Sequence, residues 1–304
     1  MISNYKQEIL KLKKEKQAII LAHYYQVPEV QDIADAVGDL YYLSKVANEC
    51  EEKLVVFCGV KFMAESAKIL SPNKTILLPV AEAGCPMAEM VDVEGLLKLK
   101  SDNPEAMVVC YINSTTEVKA LCDVSVTSSS AENIFKNIKN NKIIFLPDRN
   151  LGEYLASKFP EKQFILWNGF CVTHTRVNGK DIIDLKNRYP DAEILVHPEC
   201  EKEIRDLADF LGSTGGILKY ATESDNKDFI VVTEEGILHK MKSQNPDKNF
   251  YIPGGSMVCS NMKKTTLKDV YESLKFDKNQ IEIEEELRER AYTSLINMHR
   301  LTLI

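Results

Sequence analysis

Apolar and polar positions along the chain follow a pattern that recurs three times. Residues 8–24 (EILKLKKEKQAIILAHY), 94–111 (EGLLKLKSDNPEAMVVCY) and 180–198 (KDIIDLKNRYPDAEILVHP) each place apolar residues at helical spacing. Each then crosses a polar turn and ends in a short apolar strand. Each strand leads to an acidic residue and a predicted helix, at 28–39, 116–129 and 198–214. A second strand–loop–helix follows at 53–70, 142–159 and 228–244. A third strand, at 75–85, 163–171 and 250–259, runs into a loop that stops at a cysteine. Apolar strands alternating with helices predict parallel sheets covered on both faces. The period of about 87 residues predicts an α/β protein of three similar domains, each a small parallel sheet with flanking helices, around a pseudo-threefold axis. The domains are placed at 1–100, 101–187 and 188–304, the last closing on a helix within 281–304.

Composition narrows the classes. The 304 residues suffice for two or three domains, and 44% hydrophobic with 27% charged residues is ordinary for a globular protein. A net charge of −7 argues against a general nucleic-acid binder. No apolar run is long enough to span a membrane, and the Lys-rich start lacks the small-residue cleavage site of a signal peptide. Eight cysteines without a C-x-x-C pair, in a chain of this size, point to reduced thiols in the cytoplasm.

Cys85, Cys171 and Cys259 occupy the same place in each third, 86 and 88 residues apart. Strand C-termini are where open α/β sheets place ligands, so three thiols could converge there. The bland reading is three small buried side chains; the shared register favours a metal centre instead. A [4Fe–4S] cluster normally takes four cysteines, so three would leave one iron open as a Lewis acid suited to eliminating water. A three-cysteine zinc site is the competing reading. Cys58 and Cys110 lie in apolar strands, Cys122 is read onto a helix and Cys50 near a helix end; all four look like core or bystander residues.

His23 and His197 close the first strand of repeats one and three, where repeat two has Tyr111 followed by Asn113. His174 lies three residues past Cys171, and Glu199 two past His197. Histidine and glutamate can move protons, although Glu199 could equally be an acid at a helix N-terminus. Ser128, Ser129, Ser213 and Thr214 end the second element of repeats two and three, with Gly215 and Gly216 following. Hydroxyls at a helix start suit an anion site or an ordinary cap. His239 and His299 fit helical patterns as surface or packing residues.

The segments LAHYYQVPEVQDIAD, AGCPMA, CYINSTTEVKA, VTSS, LPDRNLG, WNGFCVTH, HPEC, GSTGG, TEEGILHKM and CSNMKK, in this order, resemble the quinolinate synthase family of bacterial NAD biosynthesis from about residue 17 to 275. The resemblance implies a [4Fe–4S] cluster on Cys85, Cys171 and Cys259, and condensation of iminoaspartate with dihydroxyacetone phosphate to quinolinate, phosphate and water. It matches His23 and Tyr25 to an H-x-Y element, Tyr111 and Asn113 to Y-x-N, and Ser128 to T-S-S. His174, His197, Glu199 and Thr214 fall in further substrate-contacting motifs. His23, Tyr25, His174, His197 and Glu199 are then the candidate catalytic groups, and Cys200 is not a ligand. A transient contact with the aspartate oxidase that supplies iminoaspartate also follows. Three positions depart from the family pattern: Leu40 for a substrate-contacting serine, Val80 for an aspartate, and Ser130 for an asparagine. Ser44 or Tyr41 is the expected substitute for the lost hydroxyl. Cys259 stands without the neighbouring cysteines some relatives carry, so no regulatory disulfide is expected there.

Overall fold

The computed structural model describes residues 2–254 and 257–302. Positions 255 and 256 of the third cysteine loop, and 303 and 304 after the closing helix, lie outside the described residues. The first sheet holds β1 (Ala18–His23), β2 (Ala36–Gly38), β3 (Leu54–Cys58) and β4 (Thr75–Leu77). The second holds β5 (Met107–Tyr111), β6 (Val124–Val126), β7 (Lys142–Leu146) and β8 (Gln163–Leu166). The third holds β9 (Glu193–Val196), β10 (Phe210–Leu211), β11 (Asp228–Val232) and β12 (Asn249–Tyr251). All three share one order, with the first strand central: β2-β1-β3-β4, β6-β5-β7-β8 and β10-β9-β11-β12. Every strand pair is parallel. The chain is thus an α/β protein of three similar units, as the repeat predicts.

Central strands are apolar throughout because both faces are covered. All six residues of β1 are buried, as are Val55 to Cys58 of β3. Each fully buried Val, Leu, Ile or Phe stabilises the fold by roughly 1.5–3 kcal/mol. The crossover helices start on local caps: the Asp39, Asp148 and Ser213 side chains accept from the amides of Tyr42, Leu151 and Gly216. One continuous core joins the first two sheets, with Leu21 and Phe57 from one, Val109 and Phe145 from the other, and Ala291, Leu295 and Met298 from the closing helix. That helix, Glu285–Thr302, follows the third repeat in sequence but packs on elements of the first and second. The third sheet keeps its own clusters, with Ile194, Val196 and Ile230 on one face and Leu195, Phe229 and Val231 on the other. No helix among the described residues is long and apolar enough to cross a membrane.

The structure departs from the pattern where helices are predicted after each first strand. Only four-residue helices form, Pro28–Gln31, Thr116–Lys119 and Lys202–Arg205, and the chain then turns into the edge strands β2, β6 and β10. Cys122 accordingly lies past its helix, in the turn before Asp123. The cause is one aspartate per repeat. The Asp35 amide donates to the Ile20 carbonyl at 2.8 Å while its carboxylate accepts from the Ile20 amide at 2.8 Å. Asp123 does the same to Val108 at 2.9 and 2.7 Å, and Asp209 to Ile194 at 2.9 and 2.8 Å. A side chain that satisfies a neighbouring backbone donor competes with continued helix, and here it anchors an edge strand to the central one.

Asp209→Ala removes one of these clamps and is expected to destabilise the chain by about 1 kcal/mol. Urea unfolding measures the loss, and hydrogen exchange should place it at the Ile194 amide. Unchanged exchange there would show the clamp to be incidental.

Candidate functional site

The carboxyl ends of the three sheets open onto one cavity. His23, Tyr25 and Leu40 reach it from the first unit, Tyr111, Asn113 and Ser128 from the second, and His197, Glu199 and Thr214 from the third. His174 and the thiols of Cys85, Cys171 and Cys259 line it as well. Every residue singled out for catalysis, substrate contact or metal ligation therefore lies on this cavity. Ser129 and Ser213 do not line it; Ser213 instead accepts from the Gly216 amide at 3.0 Å as a helix cap. His239 pairs with Asp32 at 2.8 Å and His299 stacks on Tyr41 at 5.1 Å, both away from the cavity. Cys200 is buried against the third sheet with its sulfur 3.9 Å from the Val232 carbonyl.

The two strand-end histidines share one local geometry. The Tyr25 amide donates to His23 Nδ1 at 3.2 Å, and the Glu199 amide donates to His197 Nδ1 at 3.3 Å. Accepting at Nδ1 leaves the proton of each neutral ring on Nε2. Burial lowers both imidazoles to about 3, against the partial counter-pull of Glu199. Both rings are therefore neutral donors at pH 7.

Glu199 is not a helix-start residue, since the helix begins at Lys202 with Glu201 as its cap. Its carboxylate is buried, 2.8 Å from His174 Nδ1 and 3.9 Å from His197 Nδ1. Burial pushes Glu199 up, but His174 and the Tyr111 hydroxyl outweigh it and hold the carboxyl below its usual range. Tyr111 is itself pushed up, by burial and by Glu199. The His174 ring continues the chain of contacts, with Nδ1 3.2 Å from Cys171 Sγ and Nε2 3.0 Å from Thr233 Oγ1. Thr233 Oγ1 lies 2.9 Å from the Tyr25 hydroxyl, which lies 2.6 Å from Thr214 Oγ1. A continuous path of exchangeable protons thus joins Glu199, His174, Thr233, Tyr25 and Thr214.

The three cavity thiols also share a geometry. The amide three residues past each cavity thiol, Ala88 after Cys85, His174 after Cys171 and Met262 after Cys259, favours its thiolate. Those amides belong to short 3-10 turns, Pro86–Glu89, His174–Arg176 and Met262–Lys264. Burial pushes the Cys85 thiol up to about 12 and raises Cys171 and Cys259 as well. Amide donors aimed at sulfur, in a site where burial disfavours thiolates, suit thiols that ionise against a bound cation. All three are partly exposed, whereas Cys58, Cys110, Cys122 and Cys200 are buried. A different donor set, Cys171, His174 and Glu199, also has its ligand atoms within 4.8 Å of one another.

Leu40 is buried and lines the cavity without a polar group. Neither expected substitute reaches it: the Ser44 hydroxyl donates to the Tyr41 carbonyl at 2.9 Å, and Tyr41 stacks on His299. Neither residue lines the cavity. Val80 packs on the shared core. Ser130 accepts from the Thr127 amide at 2.9 Å.

Sequence reasoning missed Thr233 and two buried acids. Asp148 accepts from the Cys171 amide at 3.1 Å, and Glu234 from the Cys259 amide at 3.0 Å. Burial pushes both carboxyls up. Their signal was available, since each stands two residues past the third strand of its sheet in sequence, in LPDRN and VTEEG.

The fold and the site define a three-sheet α/β protein with a thiol- and histidine-lined cavity shared by all three units. The family model described as quinolinate synthetase A protein matches residues 7–300, and the chain belongs to that family. It is 63% identical to a quinolinate synthase of Clostridioides difficile over 97% of each chain. It is 57% identical to that of Clostridium acetobutylicum over 98% of each. Its identity to the quinolinate synthase of Caldicellulosiruptor bescii is 53%, over 96% of this chain and 97% of the relative.

Two histidines with folded values near 3, against 6.5 when free, take up protons far more readily once unfolded. Their contribution to stability is complete above pH 6.5 and is lost as pH falls toward 3. Unfolding free energy of the metal-free chain should drop by about 1–2 kcal/mol per histidine between pH 7 and pH 5. Urea titrations at both values test this, and His197→Asn should roughly halve the pH difference. An unchanged difference would show that His197 is charged in the fold.

Proposed function

We infer that this chain is a quinolinate synthase of NAD biosynthesis, condensing iminoaspartate with dihydroxyacetone phosphate to quinolinate, phosphate and water. The observation that carries the reading is the meeting of three in-register thiols with two neutral histidines and one ionised glutamate on a single cavity. The family membership and the full-length relatives named quinolinate synthase support it.

Cys85, Cys171 and Cys259 hold a [4Fe–4S] cluster in this reading, and the amides of Ala88, His174 and Met262 fit the thiolate charge it requires. A cluster on three protein thiolates supplies a Lewis-acid iron with no protein ligand, suited to loss of water. The remaining chemistry belongs to the side chains. His23 and His197, neutral with Nε2–H, donate to substrate oxygens without adding charge. Glu199 accepts a proton during enolisation and ring closure, and His174 with Tyr111 stabilises its ionised form. Thr233 relays between His174 and Tyr25. Thr214, at the start of the helix Thr214–Glu223, offers a hydroxyl where the helix dipole favours an anion. Ser128 and Asn113 offer polar groups from the second unit. Leu40 leaves its part of the cavity apolar, so polar contacts to substrate come from the other cavity residues.

A zinc lyase on the same fold is the second reading, favoured by the close Cys171, His174 and Glu199 set. That set would commit Glu199 to the metal and remove it from proton transfer.

Cys171→Ser is expected to abolish the brown absorption and turnover together. Iron and sulfide content with an absorption spectrum of anaerobically prepared protein decides the matter; zinc without colour would overturn the cluster. Glu199→Gln should retain iron and lower turnover by about 10²–10⁴-fold. Near-normal rates in that variant would relegate Glu199 to a structural role.

A further inference from the structure

The three repeats carry the same backbone frame behind each cavity thiol. Lys61, Arg149 and Glu235 donate their amides to the carbonyls of Ala83, Gly169 and Met257 at 2.8, 2.9 and 2.9 Å. Each of those carbonyls lies two residues before a cavity cysteine. The residue just before each donor is Val60, Asp148 or Glu234, so one register holds a valine and two buried acids. Asp148 accepts from the amides of Leu151 at 2.7 Å and Cys171 at 3.1 Å. Glu234 accepts from Cys259 at 3.0 Å and Gly236 at 2.7 Å, and pairs with Lys263 at 2.9 Å.

Each acid also connects onward. Asn150, on the helix Arg149–Lys158 that Asp148 caps, donates its side-chain amide to the Glu199 carbonyl at 3.0 Å. Lys263, held by Glu234, donates to the Tyr25 carbonyl at 2.8 Å. Repeat two is thereby fastened to the proton-moving glutamate of repeat three, and repeat three to the tyrosine of repeat one. The second junction is tight: a Cβ on Gly236 would stand 2.7 Å from Tyr25 Cα.

We propose that Asp148 and Glu234 are positioning residues, each fixing the backbone of one cavity thiol and fastening that thiol loop to a reacting residue of the next repeat. The Cys85 loop, with Val60 in the same register, lacks this restraint and is the most readily opened of the three. The thiols' role as metal ligands rests on the function inferred above; the restraint on their loops does not.

The test uses the full-length chain as wild type, Glu234→Val, Asp148→Val, and the conservative Glu234→Gln and Asp148→Asn. Valine already stands in this register in repeat one, and the amide variants keep the shape of the acids. Timed N-ethylmaleimide labelling of the iron-free chain, read cysteine by cysteine by mass spectrometry, should show a crossed pattern. Glu234→Val speeds labelling of Cys259 and Asp148→Val that of Cys171, each about tenfold, with the other two cavity thiols within about twofold. The amide variants, which keep an acceptor for the cysteine amide, should restore most of the protection. After anaerobic reconstitution, the valine variants should also lose iron to a chelator faster than wild type. A uniform rise at all three thiols, or no rise, would overturn the proposal. Wild-type chain that takes up no iron would overturn the cluster reading alone, because the labelling pattern reads the loops without metal.

Discussion

Parallel pairing is the constraint on which this molecule depends. In a parallel sheet every strand leaves at the same end, so every loop that follows a strand opens on one side. The first strand of each unit is central and ends in His23, Tyr111 or the residue before His197. The last strand of each unit runs out toward a cysteine. One topological rule, applied three times, therefore delivers both the polar strand ends and the thiols to a common cavity. Closing the sheets takes helical crossovers, and the aspartate clamps at 35, 123 and 209 supply the edge that ends each crossover.

Burial then sets the charge states. The cavity removes water from His23, His197, Glu199 and three thiols at once, and desolvation penalises whichever form is charged. The histidines respond by staying neutral. Glu199 alone stays ionised, because His174 and Tyr111 satisfy its oxygens. For the thiols, desolvation outweighs every group that favours the charged form, so all three are raised. A site built this way has unused capacity for positive charge at sulfur, which is the physical argument behind the cluster reading.

The repeat, the sheet class and the register of Cys85, Cys171 and Cys259 were legible in the sequence because each is a pattern of residue type at fixed spacing. Convergence of His23, Tyr25, Tyr111 and His197 followed from the same register. The short edge strands were not legible. Asp35, Asp123 and Asp209 look like ordinary helix-flanking acids until the neighbouring strand is in place, and each bond spans 15 residues. Thr233, Asp148 and Glu234 were missed for a related reason. Their importance lies in what they hold across a sheet or between repeats, not in their own neighbourhoods. The expected compensation for Leu40 failed on a local detail: one turn along the helix, Ser44 is turned back onto the Tyr41 carbonyl.

The three repeats diverge in an orderly way. Where the proposed cofactor needs equal donors, they agree, with a cysteine and an amide three residues on in each. Where the proposed reaction calls for an unsymmetrical pair of substrates, they differ: histidine, tyrosine and histidine at the strand ends, with tyrosine, asparagine and glutamate two residues later. Where a thiol loop is restrained, they differ again, with valine, aspartate and glutamate in one register. The repeated frame places three equivalent thiols on the cavity, while the strand-end side chains and the residues behind the thiol loops differ unit by unit. Glu199 marks the limit of that divergence. It occupies the place of Tyr25 and Asn113, yet it stays an anion because groups of another repeat, His174 at 2.8 Å and Tyr111, meet it.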